Sequence, residues 1–274
     1  MNVNLRCPVR GCPERLNREA TRWTCARNHS FDRHRTGSLN LLQPQDRRSQ
    51  NPGDSKETAR ARRRLAATGH ADPVHQALGH VIRSRSQAGP VSLLDVGCGE
   101  GSFLRSLDGI PDLERHGLDL SAPSIDMAAR ASPEILFVVA NADRFLPYAD
   151  HSFDFLTSID ARASGDEFAR VLSTRGLVLF AVPGPDDLME LRERIQGGKA
   201  LKSRTARVEE ALTKHFTLAE KILVRETRTF HAPVLRDLLS ATYRGFRHSE
   251  RAAVESLSTM SVTLSQEILA FQPR

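Results

Sequence analysis

Between Cys7 and His29 the chain places three of its four cysteines and one histidine, spaced C-x4-C-x12-C-x3-H. A structural Zn2+ asks for four soft or borderline donors in a tetrahedron, offered as two close pairs on separate turns. Cys25 and His29 have the spacing of such a ligand hook. Cys7 and Cys12 are stretched, with four intervening residues where two are usual, and Pro8, Gly11 and Pro13 are turn formers that absorb the extra length. Cys7, Cys12, Cys25 and His29 are therefore expected to hold one structural zinc. Three free thiols in a flexible arm are the alternative. The stretch offers few residues for a core (Leu5, Leu16, Trp23, Phe31, Leu39), too few to fold without a staple.

A second stretch with chemical potential is VSLLDVGCGEG, a buried strand running into a glycine turn. Its spacing is Asp95-x-Gly97-x-Gly99-x-Gly101, which is neither the G-x-G-x-x-G of dinucleotide binders nor a P-loop. With no pyrophosphate to cradle, the glycines permit close approach of a less anionic ligand to the backbone. Asp95 at the strand end can meet a cationic amino group. Asp119 follows Gly101 by 18 residues, at the end of the next strand, where a carboxylate grips ribose hydroxyls. Glu100 either contacts the ligand or caps the helix that starts at 101. Cys98 reads as a small buried residue.

These groups must be carried by something, and the pattern around them says what. From residue 91 onward, short apolar runs alternate with helical segments near 101–108, 122–131 and 165–173. ERHGLDL, ILFVVA, SFDFLTSID and GLVLFAVPG read as four further strands. Near-continuous apolar strands alternating with helices predict an α/β fold with a mostly parallel, doubly wound sheet covered on both faces. Ligands of such sheets bind at the carboxyl ends of the strands. Residues 205–274 read as helix, strand, helix and a last strand that closes the sheet. Three parts follow: a zinc-binding module at 1–42, a connector and basic helical segment at 43–89, and the α/β domain at 90–274. Within the connector, Ser55 predicts an N-cap for a helix over 56–68 whose Lys56, Arg60, Arg63 and Arg64 form a basic stripe.

Composition narrows the partners. The chain has 274 residues, 39% hydrophobic and 26% charged, with no apolar run near the ~20 residues of a membrane span. Its start lacks the apolar core of a signal peptide, and clustered cysteines suit metal-bound thiolates in a reducing cytoplasm better than disulfides. Residues 1–64 carry 15 Lys+Arg against 6 Asp+Glu, whereas the remainder carries 24 against 27. A net of +9 on residues 1–64 beside −3 on the remainder points to a polyanion met by the first part of the chain. A merely solvated surface is the other reading of that charge.

The run D-V-G-C-G-E-G, then G-L-D and LPYADHSFD, is similar to the motifs of class I S-adenosylmethionine-dependent methyltransferases. Together with the zinc head, HSFD, LNLL, PGDS, LDLS and PGPDDLMEL, the chain resembles the bacterial large-subunit (23S) ribosomal RNA guanine-N1 methyltransferases from Cys7 to about Arg192. The resemblance implies zinc on the four head ligands and ribosomal RNA as partner, with methyl transfer to N1 of a guanine in a large-subunit hairpin. Some members confer macrolide-type resistance, and members commonly dimerise, so a homodimer is among the assemblies implied. For the cofactor it implies Asp95, Gly97, Gly99, Glu100, Gly101 and Asp119, with Asn141 or Asp143 near the adenine and Asp187 at a position where the family has a histidine.

Several positions depart from the family. Ala71 replaces an aromatic residue after Gly-His. Asp160, Ala161 and Arg162 stand where an aromatic-Ala-Pro motif is usual. Ser173–Gly176 replaces a Lys-Pro-Gly-Gly turn, and SATYRGF a Trp-containing segment. Methyl transfer from a sulfonium needs mainly alignment, but guanine N1 carries a proton at neutral pH and benefits from a general base. Asp160, at the carboxyl end of the fourth strand, is the candidate, with pairing to Arg162 as its other role. Tyr148, Phe153, Tyr243 and Phe246 are either stacking platforms for an extruded base or core. Two other functions compete: a small-molecule methyltransferase with a relic zinc head, which the basic head argues against, and an RNA-binding protein with a degenerate pocket, which the intact glycine turn argues against.

Overall fold

The protein is described from a computed structural model covering residues 4–46, 53–86, 89–161, 164–196, 204–242 and 258–274. Three short antiparallel strands open the chain: β1 (Asn17–Arg18), β2 (Arg22–Thr24) and β3 (Ser30–Asp32). After β4 (Leu39–Asn40) come α1 (Lys56–Ala66) and α2 (Asp72–Arg85). The alternating part follows as β5 (Val91–Val96), α3 (Ser102–Ser106), β6 (Leu113–Asp119), α4 (Ala122–Ala131), β7 (Leu136–Val139), β8 (Phe153–Ile159), α5 (Gly165–Val171) and β9 (Leu172–Pro183). The chain ends with α6 (Met189–Gln196), α7 (Thr205–Leu212), β10 (Phe216–His231), α8 (Ala232–Thr242) and β11 (Thr259–Pro273).

The large sheet has eight strands in the order β10-β11-β9-β8-β5-β6-β7-β4. β4 to β9 run parallel, and β11 lies antiparallel between β9 and β10. From β5 the order proceeds one way to β6 and β7 and the other way to β8 and β9. That reversal leaves the crevice beside the carboxyl ends of β5, β6 and β8 in which doubly wound sheets hold ligands. Period-two alternation sends Leu94, Val96, Leu156, Val178 and Phe180 to one buried face, and Leu93, Phe155, Leu177 and Leu179 to the other.

The head is built into this sheet. Leu39 and Asn40, assigned from sequence to the head, pair with Val138 and Val139 as the sheet's edge strand. Leu5 bridges Tyr148, the Arg6 amide donates to the Pro147 carbonyl at 3.0 Å, and the Ala149 amide donates to that of Asn4 at 2.9 Å. Leu5, Leu16, Trp23 and Leu39, the expected head core, are buried in one cluster with Leu136, Val138 and Tyr148. The body thus supplies the apolar partners that the head's own residues are too few to provide.

The connector holds two helices where the sequence showed one. Ser55 caps α1 by accepting the Thr58 amide, as expected. α2, unread from sequence, carries Pro at its first turn and packs on α3 and the late strands. Leu65 of α1 joins a third core with Leu188, Leu191, Leu235, Leu238 and Leu239, so this helix sits against α6 and α8. Two expectations shift. Residues 173–176, read as a turn before the fifth strand, lie inside β9, and α3 spans five residues rather than eight. The last third keeps the expected order of helix, strand, helix and strand.

Candidate active site and metal centre

The ligand atoms of Cys7, Cys12, Cys25 and His29 all lie within 4.8 Å of one another. Cys12 Sγ and Cys25 Sγ are 3.9 Å apart, and His29 Nδ1 stands 3.4 Å from both Cys7 Sγ and Cys25 Sγ. With Zn–S near 2.3 Å and Zn–N near 2.0 Å, tetrahedral edges are about 3.8 Å for two sulfurs and about 3.5 Å for sulfur and nitrogen. The residues therefore fit one Zn2+ with no vacant position. Local turns produce the convergence. Gly11 at φ 75 and Asn28 at φ 62 take left-handed backbone, and the Cys25 amide closes its turn on the His29 carbonyl at 3.1 Å. The Val9 amide donates to the Cys7 sulfur, and those of Arg27 and His29 to the Cys25 sulfur, as suits thiolate ligands. None of the four cysteines forms a disulfide.

At the carboxyl end of β5, Asp95 is buried and accepts the Thr157 hydroxyl at 2.8 Å. Burial, with the neighbouring Asp119 adding to it, pushes its carboxyl up to about 7. Asp119, ending β6, accepts the Gly99 amide at 2.9 Å and the Ser121 amide at 2.7 Å. Burial raises its carboxyl too, against those two donors. One carboxylate thus clamps the glycine turn to the next strand. Gly97, at φ 84, is obligatory because a Cβ there would meet the Ala161 Cβ at 2.5 Å. Gly101, at φ 81, begins α3 against Ala128 and Phe137. Glu100 accepts the Ser102 amide at 3.1 Å and pairs with Arg105 at 2.6 Å, contacts that fit its capping role.

After β7, Asn141 is buried and its Oδ1 accepts the Asp143 amide at 3.1 Å, while Asp143 itself is exposed. The pair thus occupies one turn after β7. Asp160 follows β8 in left-handed backbone, φ 55, with its amide on the Ala181 carbonyl at 2.9 Å. Its side chain is 35% exposed and 3.8 Å from Arg204. Desolvation still prevails over Arg204 and Arg62, and raises its carboxyl. Asp187 is buried, and its Oδ1 accepts the Ser265 amide at 2.9 Å. Burial, opposed by that bond and strengthened by Asp160, pushes Asp187 to about 7.

Sequence reasoning missed the surroundings of these groups. Gly53 and Asp54 lie over the start of α4, where the Ser121 hydroxyl donates to the Asp54 carbonyl at 2.8 Å and Arg62 holds the Asp54 carboxylate at 2.8 Å. The connector therefore forms one wall of the site; the PGDS motif was the signal for it. Lys56, Arg60, Arg63 and Arg64 are exposed, as a basic stripe requires, with Arg64 paired to Asp237. Tyr148 and Phe153 are fully buried and meet His116 edge-on, so they belong to the core. Arg162, Tyr243, Phe246 and the connector at 47–52 lie outside the described residues. A cavity of about 130 Å³ bordered by Leu113, His116 and Glu134 lies at the amino ends of β6 and β7, away from all these carboxylates. Among the described residues, no helix is long and apolar enough to cross a membrane.

Comparison with known proteins adds the following. A family model described as "RlmA, N-terminal" matches residues 5–50, and one described as "Methyltransferase domain" matches residues 94–180. The chain is 34% identical over 231 residues to the "Putative 23S rRNA (guanine-N(1)-)-methyltransferase" of Micromonospora griseorubida, covering 78% of this chain and 77% of that one. It is 31% identical over 225 residues to the 23S rRNA (guanine(748)-N(1))-methyltransferase of Streptomyces fradiae, covering 81% and 79%. Among solved structures, the YcgJ protein of Bacillus subtilis superposes with a TM-score of 0.50 at 15% identity, covering 73% of this chain and 99% of that one. At that identity the likeness speaks to the fold alone.

Proposed function

The chain belongs to the 23S rRNA (guanine-N1)-methyltransferases, and from that premise we propose that it methylates N1 of a guanine in a hairpin of large-subunit ribosomal RNA, in the cytoplasm. The observation that carries the reading is the joining of a closed Cys3His cluster to the sheet edge of a domain whose glycine turn is tied to Asp119. S-adenosylmethionine, when bound, supplies an electrophilic methyl group on sulfur. Asp119 would hold the ribose hydroxyls, and Asp95 the cationic amino group that offsets its buried charge. Gly97, Gly99 and Gly101 would bring the backbone against the ligand, with the turn at Asn141 and Asp143 beside the adenine. Asp160 lies on the acceptor side, where a base drawn out of the RNA would arrive. Zinc would hold Cys7, Cys12, Cys25 and His29 together, and the basic head would meet phosphates.

Incubating unmodified ribosomal RNA with the protein and methyl-labelled S-adenosylmethionine tests this. Label at one guanine, with a primer-extension stop of the kind an N1-methyl group produces, is the expected result. Label on a small metabolite and none on RNA would overturn it. Resistance to a macrolide-type antibiotic, as against routine maturation, is read by expressing the protein in a sensitive host. The name of the Streptomyces fradiae relative makes guanine 748 the first position to inspect.

A further inference from the structure

Two carboxylates from different loops influence each other at the carboxyl end of the sheet, where burial raises Asp187 and Asp160 adds to the rise. Asp160 comes off β8 in a left-handed conformation that a non-glycine residue adopts only at a cost. Asp187 comes from the loop after β9, anchored by its own amide on the Gly184 carbonyl at 3.2 Å. Both are braced by consecutive residues of β11. Ser265 gives its amide to Asp187, and Gln266 gives its side chain to Asp160. Gly184 keeps this brace tight, since a Cβ there would lie 2.3 Å from the Ser265 hydroxyl. The groups facing the pair are Arg192 and Asp186 around Asp187, with Asp186 itself held by Arg225 at 2.7 Å, and Arg204 and Arg62 around Asp160.

Guanine alone among the four bases presents adjacent N1–H and N2–H2 donors on its Watson–Crick edge, and two acceptors side by side are their complement. Resting on the function proposed above, we propose that Asp187 and Asp160 form the guanine-reading pair, Asp187 taking the N1 proton and Asp160 holding the exocyclic amino group. Asp187 is thereby moved from the cofactor side, where sequence placed it, to the acceptor side. As N1 forms its bond to the methyl carbon, the carbon–sulfur bond breaks with its electron pair going to sulfur. The N1–H electron pair becomes the new N1–C bond, and the proton passes to Asp187 and on to solvent. A base should be poised near neutrality for this, and Asp187, buried and facing a second carboxylate, is raised to about 7.

Single-turnover methylation of target RNA carrying guanosine or inosine is the test, using wild type, Asp187→Asn and Asp160→Asn, with S-adenosylmethionine binding measured by calorimetry. Inosine lacks the exocyclic amino group. Wild type should rise with pH to a plateau above about 7 and prefer guanosine to inosine. Asp187→Asn, in which Asn still accepts the Ser265 amide, should lose about 100-fold or more in rate and lose the plateau, while binding the cofactor within about threefold. Asp160→Asn, whose carbonyl still accepts but carries no charge, should lose about tenfold and prefer guanosine to inosine less than wild type does. An unchanged rate and pH profile in Asp187→Asn would overturn the pair, as would loss of cofactor binding in that variant, which returns Asp187 to the cofactor side. Failure of the wild type to methylate any guanine would overturn the proposed function itself.

Discussion

The head and the carboxyl end of the sheet both gather polar groups out of water, and they do so in opposite ways. In the head, four donors converge on one point at tetrahedral spacing, with backbone amides supporting the sulfurs. A single cation satisfies them all and leaves no place for a substrate. At the sheet, Asp95, Asp119, Asp160 and Asp187 are each desolvated enough to be raised, even with Arg62, Arg192 and Arg204 nearby. Such a site favours a ligand with positive and donor groups. A closed shell reports structure and an unsatisfied one reports binding, although both begin as clustered polar residues.

The sharpest way to break this comparison is to remove the metal. Ligand binding supplies roughly 10–16 kcal/mol of apparent folding free energy in zinc-finger peptides. Chelation, or Cys12→Ala, should therefore abolish RNA binding. Because the head shares its core with Leu136, Val138 and Tyr148, the melting temperature of the whole protein should fall by roughly 10 °C or more. Cofactor affinity measured well below that temperature should change by less than about threefold. Metal analysis should find one zinc per chain in wild type and in Cys98→Ala, and none in Cys12→Ala. Equal loss of cofactor and RNA binding on chelation would show that the two regions are one site.

On the other side, Gly97→Ala tests the glycine turn. The new Cβ meets Ala161 at 2.5 Å in a backbone with φ 84, so strain and a forced shift of the loop after β8 add up. A loss on the order of 100-fold in cofactor affinity is expected, about 3 kcal/mol. Gly109→Ala is the control, with φ 90 and nothing within 4 Å. It should carry the backbone strain alone, about 1–2 kcal/mol of stability, and leave affinity unchanged. Similar affinity losses in both would mean that the turn is sensitive to strain and not to close approach.

How much of this contrast is legible in the sequence depends on separation along the chain. The ligand hook, the Ser55 cap and the glycine turn are local, since each is specified within a dozen residues by turn formers and period. β5 to β9 are equally legible, because apolar runs and intervening helices recur at short range. The seam is not. Leu39 pairs with Val138, and Leu5 bridges Tyr148, partners that no local pattern names. The brace on Asp187 comes from Ser265, on a strand at the far end of the chain. Tyr148 and Phe153 show the same limit from the other direction. As aromatic residues beside a presumed pocket they suit stacking, and only the fold reveals them as core, against His116. α2 was available to sequence reasoning through Asp72-Pro73, a helix-start signal.

Asp119→Asn is the next smaller test. Removing the charge weakens two hydrogen bonds from backbone amides, at Gly99 and Ser121, and on the proposed reading deprives the ribose hydroxyls of a strong acceptor. Charge-assisted bonds of this kind contribute roughly 1.5–3 kcal/mol each, and Asn retains part of that. About 20-fold weaker cofactor binding by calorimetry is expected, with zinc content unchanged. An affinity equal to wild type would mean that Asp119 only clamps the turn.

The smallest effect is also the most specific to an unsatisfied site. Asp95 has its carboxyl raised from 3.8 to about 7, first by burial. The folded state of the ligand-free protein therefore holds this proton more tightly than the unfolded chain does. For this group alone, stability is greatest below about 4 and is lost as pH rises toward 7. A bound cationic amino group reverses the balance, because it favours the ionised carboxylate. Cofactor affinity should then rise with pH, by about fourfold between pH 6.5 and 8 for a single group titrating near 7, with proton release detectable as a buffer-dependent binding enthalpy. The cofactor-induced rise in melting temperature should grow over the same interval. In Asp95→Asn both dependences should flatten, whereas in Cys12→Ala they should persist. A pH dependence that followed the zinc ligands instead would place the titrating group in the head and erase the distinction between the two sites.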